Sequence, residues 1–362
     1  MDGLRGIAIL LVLGVHYFHE TSYSNPAADT QGPFPFFGAL FAYGDLGVEL
    51  FFLISGFVIA LTLETSKTPY DFFVRRFARL WPALFVCSII TFLVVSSVST
   101  PYSLLVPQHL SNFLPSLTLT PGYLWSWYFP GAGLVDGVYW SLIVEVRFYL
   151  VVAVIFWSFK RSSLGRNLVI FTYLNILSRA ALQRVFPGSN ALYSEILIPD
   201  FMPWFAAGAV FYELYMTRIS PKLAVLLLCS MIAIIFRTST FVGDSARSPF
   251  VISGYALLFF IAFWSIATRA AASRLFEARL LVWVGICSYS VYLLHNAIGR
   301  LILTAIPGGV PFFLQFFAVL SVIVAMVAVG YISFVLVEQP ARRYITACLL
   351  KDRRPNQLST QA

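Results

Sequence analysis

The sequence predicts an all-α integral membrane protein, a bundle of about ten transmembrane helices with both termini in the cytoplasm. Three observations carry this. Of 362 residues, 59% are hydrophobic and 11% are charged, and the mean hydropathy is +0.82. An average soluble domain is about 25% charged, so a water-soluble globule of this length would lack the ionic groups to clothe its surface. Apolar runs recur along the whole chain, and Lys and Arg collect in alternate gaps between them. Intrinsic disorder fails on the same hydrophobicity. Cys87, Cys229, Cys287 and Cys348 show no paired spacing, which excludes a disulfide scaffold. The net charge of +8 is dispersed in small groups rather than gathered on one polar segment, which argues against nucleic-acid binding.

The first apolar run, 6–19, is short for a bilayer and carries Gly14 and His16, so it is expected to lean on its neighbours. Further runs fall at 46–63, 80–97, 139–157, 167–184, 201–216, 222–236, 249–268, 281–303 and 311–336. Several are below the ~20 residues of an ordinary span, which suits tilted or locally thin packing. There is no internal repeat. With the N-terminus placed in the cytoplasm, most of the cationic groups fall inside, and the two longest outer loops, 20–45 and 98–138, hold no Lys or Arg at all. The first run does not read as a cleaved signal peptide, because only Arg5 precedes it and no A-x-A site follows closely. The membrane domain is expected over 1–343, with a short polar cytoplasmic tail over 344–362.

Ionisable groups inside spans are costly and are functional candidates by default. His16 lies roughly 16 Å above Arg5 by helical rise, in the outer half of the bilayer. Glu49 is near the outer start of the second span, Glu145 about 9 Å below the outer end of the fourth, and His295 about 21 Å up the ninth. Four such groups from four spans are therefore expected in one layer. An imidazole beside a carboxylate is a means of activating a hydroxyl: the ring removes the proton and the carboxylate fixes its tautomer. Each group also has a plainer reading. His295 is equally well explained as an interhelical hydrogen-bonder, Glu49 as an interfacial carboxylate, and the Ser55-Gly56 pair as a close-packing site.

At the cytoplasmic start of the third run, Arg75, Arg76 and Arg79 precede Trp81-Pro82. Arg76 and Arg79 are three apart and face one way on a helix, and arginine suits bidentate grip on phosphate. Charge placement alone favours a positive-inside anchor, although three arginines before one span exceed what orientation requires. The aromatics Trp125, Trp127 and Tyr128 of the outer loop suit an interfacial belt better than a sugar platform. The sequence contains no G-x-S-x-G elbow, no H-E-x-x-H pattern, no Cys/His cluster and no G-x-x-x-x-G-K-[ST] loop, so neither a metal site nor ATP chemistry is expected.

The strings themselves resemble a known family. Arg5 and His16 form R-x10-H within the opening Asp2-Gly3-Leu4-Arg5-Gly6, and the later strings agree in order: Gly47 to Phe57, Arg75 to Pro82, Trp140 to Glu145 with Phe148-Tyr149, Ser288 to His295, and Glu338-Gln339-Pro340. Together they resemble the membrane acyltransferase-3 family from residue 2 to about 343. The resemblance implies a bacterial inner-membrane enzyme of ten spans that moves an acyl group, usually acetyl, from coenzyme A to a carbohydrate hydroxyl. It implies Arg5 and His16 as an essential pair, with Arg76 and Arg79 holding the donor. On physical grounds Glu145 or Glu49 is expected to orient His16 as general base, and Arg75 to join the phosphate contacts. Trp140, Ser141, Tyr149, Tyr292 and His295 become candidates for acceptor contact or support. Acetyl-coenzyme A or another acyl-coenzyme A is the implied co-substrate, with no permanently bound cofactor. Implied partners are the carbohydrate acceptor, the bilayer and envelope-glycan assembly proteins. Some relatives carry a C-terminal SGNH-type domain, which the roughly 20 polar residues after Pro340 would not supply. A proton-coupled transporter using the same His and Glu groups as a relay is the competing reading.

Overall fold

The computed structural model describes residues 1–20, 35–159, 164–186, 197–241, 248–306 and 310–350, and among them all regular structure is helical. In chain order the α-helices are α1 (Asp2–Gly14), α2 (Pro35–Phe41), α3 (Leu46–Thr65), α4 (Pro69–Ser97), α5 (Pro101–Leu105), α6 (Phe113–Thr118), α7 (Gly122–Ser126), α8 (Trp140–Ser158) and α9 (Leu164–Val185). They continue as α10 (Met202–Met216), α11 (Pro221–Phe241), α12 (Pro249–Ala267), α13 (Arg279–Ile286), α14 (Ser288–Leu294), α15 (Arg300–Thr304), α16 (Phe312–Ser333) and α17 (Gln339–Leu350). Each of the ten apolar runs falls on one of these helices or on a broken series of them. Among the described residues five helical stretches are long and apolar enough to cross a membrane, and a sixth is if the bent pair α13 and α14–α15 counts as one. Large apolar side chains lie exposed along these helices, among them Phe85, Leu93, Leu150, Val154, Leu258, Phe317 and Val324. Water would penalise such a surface, and lipid tails would not.

Three helices depart from the expected runs. The third begins at Pro69, not at 80, because Thr68 caps it by accepting from Asp71 N and Pro69 occupies its first turn. Arg75, Arg76 and Arg79 therefore sit within α4, which also absorbs Pro82 without ending. The ninth run is not one rod: it bends by 58° between α13 and α14, and a π-helical turn, His295–Gly299, follows α14. The last helix runs on to Leu350, past the point where the polar tail was expected, and residues 351–362 lie outside the described residues.

Close helix approach builds the frame. α3 packs along α10, and α1 packs against both α3 and α13. At the first crossing Gly56 faces the Phe205 carbonyl and Gly208 faces the Leu53 carbonyl, so the two backbones meet where neither residue carries a Cβ. Small residues at such crossings replace the hydrophobic drive that lipid cannot supply. Ser55, next to Gly56, is turned to a different use below.

Candidate active site

Five helices line a partly open cavity of about 660 Å³, open solvent included. Its polar lining comes from Arg5 of α1, Ser55 of α3, Arg76 and Arg79 of α4, Ser141 and Glu145 of α8, and Ser288, Tyr289 and Tyr292 of α14. α8 serves as a ruler along it. From Ser141 to Tyr149 is eight residues, or about 12 Å of helical rise, and the chemistry changes along that length.

At one end the cavity is cationic. The Arg76 guanidinium donates to Thr62 Oγ1 at 2.6 Å and sits 6.0 and 5.9 Å from the ring centres of Phe72 and Tyr149. Its Nε is buried with no partner among the described residues. Arg5 pairs with Asp2 one turn earlier, at 2.6 Å. Arg75 behaves otherwise: it is exposed, while Arg76 is buried. Residue 75 lies about 100° around the helix from residue 76, and the half-buried Arg79 falls between them. Of the three arginines of α4, two face the cavity, and Arg5 takes the third place.

In the middle, Ser55 Oγ and Tyr149 OH both donate to Glu145 Oε1, at 2.6 and 2.7 Å. Glu145 is the residue expected to orient His16; the bonds described for its carboxylate go to Ser55 and Tyr149. Glu49 lies in the first turn of α3, half-buried beside the cavity-lining Val48.

At the other end Ser141 Oγ and Tyr292 OH are 2.8 Å apart, and behind Tyr292 stand the histidines. The His295 ring centre is 5.4 Å from that of Tyr292 and 5.2 Å from that of His16. His16 Nδ1 meets Glu20 Oε2 at 2.7 Å, and Arg300 lies 3.6 Å from the same carboxylate oxygen. Tyr17 OH donates to the His295 carbonyl at 2.7 Å, an approach that only a glycine at 299 permits, because a Cβ there would run into the Tyr17 ring. Asp136 accepts from Asn296 Nδ2 and from Ala297 N, at 2.7 and 2.9 Å, tying the turn after His295 to the start of α8. Trp140 lies apart from these bonds and packs on Phe52 and Phe201.

His16 and His295 each belong to a π-helical turn, Val15–His19 and His295–Gly299, and Glu338 ends a third, Phe334–Glu338. Such turns cluster at functional sites because the extra residue re-aims a side chain at the cost of a poorer backbone ladder. What the arrangement can do chemically is bind an anion at one end of a narrow cavity and manage a proton at the other. A family model described as "Acyltransferase domain" matches residues 1–335. The chain belongs to this acyltransferase family.

Relatives of the acyltransferase include the peptidoglycan O-acetyltransferase OatA of Listeria monocytogenes, 25% identical over 95% of this chain and 55% of that protein. Nodulation protein 10 of Rhizobium leguminosarum is 27% identical over 84% of both chains. The O-acetyl transferase of Shigella phage Sf6 is 25% identical over 42% of this chain and 44% of its own length. The chain thus spans about half the length of the Listeria relative. No solved structure matches it.

Sequence reasoning missed Glu20, Asp136, Tyr17 and Asn296 in this acyltransferase. The signal for Glu20 was present, since i,i+4 spacing from His16 puts the two on one helical face. Asp136 and Asn296 are 160 residues apart, and nothing local to either string reveals the pairing.

Proposed function

We propose that the chain is a membrane O-acyltransferase, specifically an O-acetyltransferase, that takes acetyl from acetyl-coenzyme A at the cytoplasmic face and delivers it to a carbohydrate hydroxyl on the far side. Ten spans, cytoplasmic termini and residence in a bacterial inner membrane complete the reading. One observation carries it: a single cavity leads from Arg5, Arg76 and Arg79 to the Ser141–Tyr292 pair, with His295 against Tyr292 and His16 against His295. Two of the relatives are named O-acetyltransferases, which favours acyl transfer over proton-coupled transport.

The arginines hold the coenzyme A phosphates, remote from the reacting atom, and their binding energy positions the thioester. The pantetheine arm lies along α8 past Glu145, so that the thioester carbonyl reaches Ser141 and Tyr292. The carboxylate of Glu20 accepts at His16 Nδ1, which places the ring proton there and makes Nε2 the basic nitrogen. Nε2 takes the proton of the acceptor hydroxyl, the oxygen attacks the thioester carbon, and the C–S bond breaks. Glu145 keeps Ser55 and Tyr149 in place along the path of the arm.

The test is transfer from radiolabelled acetyl-coenzyme A to a candidate surface glycan by purified protein. His16→Ala should lower kcat by about 100-fold or more; near-wild-type transfer would remove His16 from the role of base. Arg76→Ala should raise the donor KM more than it lowers kcat, because phosphate contacts bind ground and transition states alike. The reverse pattern would place Arg76 in the chemistry.

A further inference from the structure

Acyl transfer from a thioester to a hydroxyl requires one proton to travel, because the acceptor O–H loses it and the departing sulfur gains it. The geometry serves those two atoms from different places: the thioester approaches along the cavity wall at Tyr292, and the base, His16, lies beyond. Between Tyr292 and His16 stands His295.

His295 is fully buried. Its Nδ1 meets the Tyr292 carbonyl at 2.8 Å, and since a carbonyl only accepts, Nδ1 carries the hydrogen and Nε2 a lone pair. That Nε2 is buried with no hydrogen-bond partner among the described residues. Buried polar atoms are nearly always satisfied, and an exception held this firmly calls for a cause other than stability. The hold is firm: Tyr17 binds the residue's own carbonyl and Asp136 pins the next two residues.

We infer that His295 carries the proton from His16 to the departing coenzyme A sulfur. The inference rests on the acyl-transfer reading of the site. Nε2 takes the proton that His16 removed from the acceptor hydroxyl, giving an imidazolium whose Nδ1–H remains on the Tyr292 carbonyl. The same nitrogen releases that proton to the thiolate as the C–S bond breaks. Both histidines return to their neutral forms, and no other reagent is consumed.

His295→Gln preserves a polar side chain of similar reach. It should lower kcat by about 100-fold with the donor KM changed less than about twofold, while coenzyme A still raises the unfolding temperature of the detergent-solubilised protein. His295→Ala should regain about tenfold in rate when imidazole is added, a rescue of proton transfer that a merely structural loss would not show. In the unaltered protein, rates in mixtures of light and heavy water should follow a curved dependence on deuterium fraction, the mark of two protons in flight. Full activity of His295→Gln beside an inactive His16→Ala would overturn the relay and leave the acyl-transfer reading standing. Absence of transfer by the unaltered protein would overturn that reading itself. Should His295→Gln lose its response to coenzyme A, the isotope experiment decides: a curved dependence supports the relay and a linear one overturns it.

Discussion

Glu20 lies just beyond the first apolar run, and the charge it holds there can be followed through pH. Burial by itself favours the neutral carboxyl, but the hydrogen bond from His16 and the charges of His16, Arg300 and His19 outweigh it and hold the group down at about 2. Unfolded, the same carboxyl titrates near ~4.3. Because the folded value is the lower one, its stabilising contribution is complete above the unfolded value and is lost as pH falls toward the folded one. Glu20→Gln should therefore flatten the acid side of a thermal-stability profile between about pH 4.3 and 2. At neutral pH it should lower kcat about 10- to 100-fold without raising the donor KM, since the base loses its orienting carboxylate. A twin profile for the variant and the unaltered protein would separate Glu20 from His16. The strings around Arg5, Arg76, Glu145, Ser141 and Tyr292 already name most of the cavity wall at this scale. Glu20 escaped because it follows the last apolar residue and reads as the start of a loop. Arg75 was included because a run of three arginines does not say which of them faces inward.

Helices are the scale at which apolar patterning is most informative and also where it stops. Apolar run length marks the existence of α3, α4, α8 and α16, and the Ser55-Gly56 pair reads as a close-packing site. Run length does not mark the change of pitch at Val15–His19, where Glu20 N bonds the Val15 carbonyl across five residues. Nor does it mark the break at Cys287, since both limbs of the bend are equally hydrophobic. The α3–α10 crossing is where an element-level prediction has force. Gly208 has the Leu53 carbonyl in the space a Cβ would take, and neither backbone can withdraw without moving Ser55, which reaches Glu145 in the cavity. Gly208→Val should destabilise the protein by about 1–3 kcal/mol through overpacking, read as a lower unfolding temperature in detergent. The same substitution at Gly254, which has nothing within 4 Å, should leave that temperature unchanged.

Across the whole molecule, the proposed reaction needs the arginine end and the histidine end of the site to communicate with opposite faces of the membrane. Charge placement in the sequence supports this, for the loop containing Trp127 holds no Lys or Arg, while Arg342 and Arg343 lie on α17. Seven spans separate the two positions in the ten-span reading, and an odd number puts them on opposite sides. Trp127 and Tyr344 are well exposed, at 86% and 72%, so a cysteine at either would be reachable by a membrane-impermeant thiol reagent. Cys348, also exposed, must first be removed with the other three cysteines. In sealed right-side-out vesicles Trp127→Cys should be labelled directly, and Tyr344→Cys only after permeabilisation. Acetyl-coenzyme A should then support transfer to an external glycan only when enclosed in the same vesicles. Labelling of both cysteines from one face would make the number of intervening spans even and overturn the ten-span reading with both termini in the cytoplasm. The family membership and the placement of Arg76 opposite Trp127, which α4 alone separates, would stand.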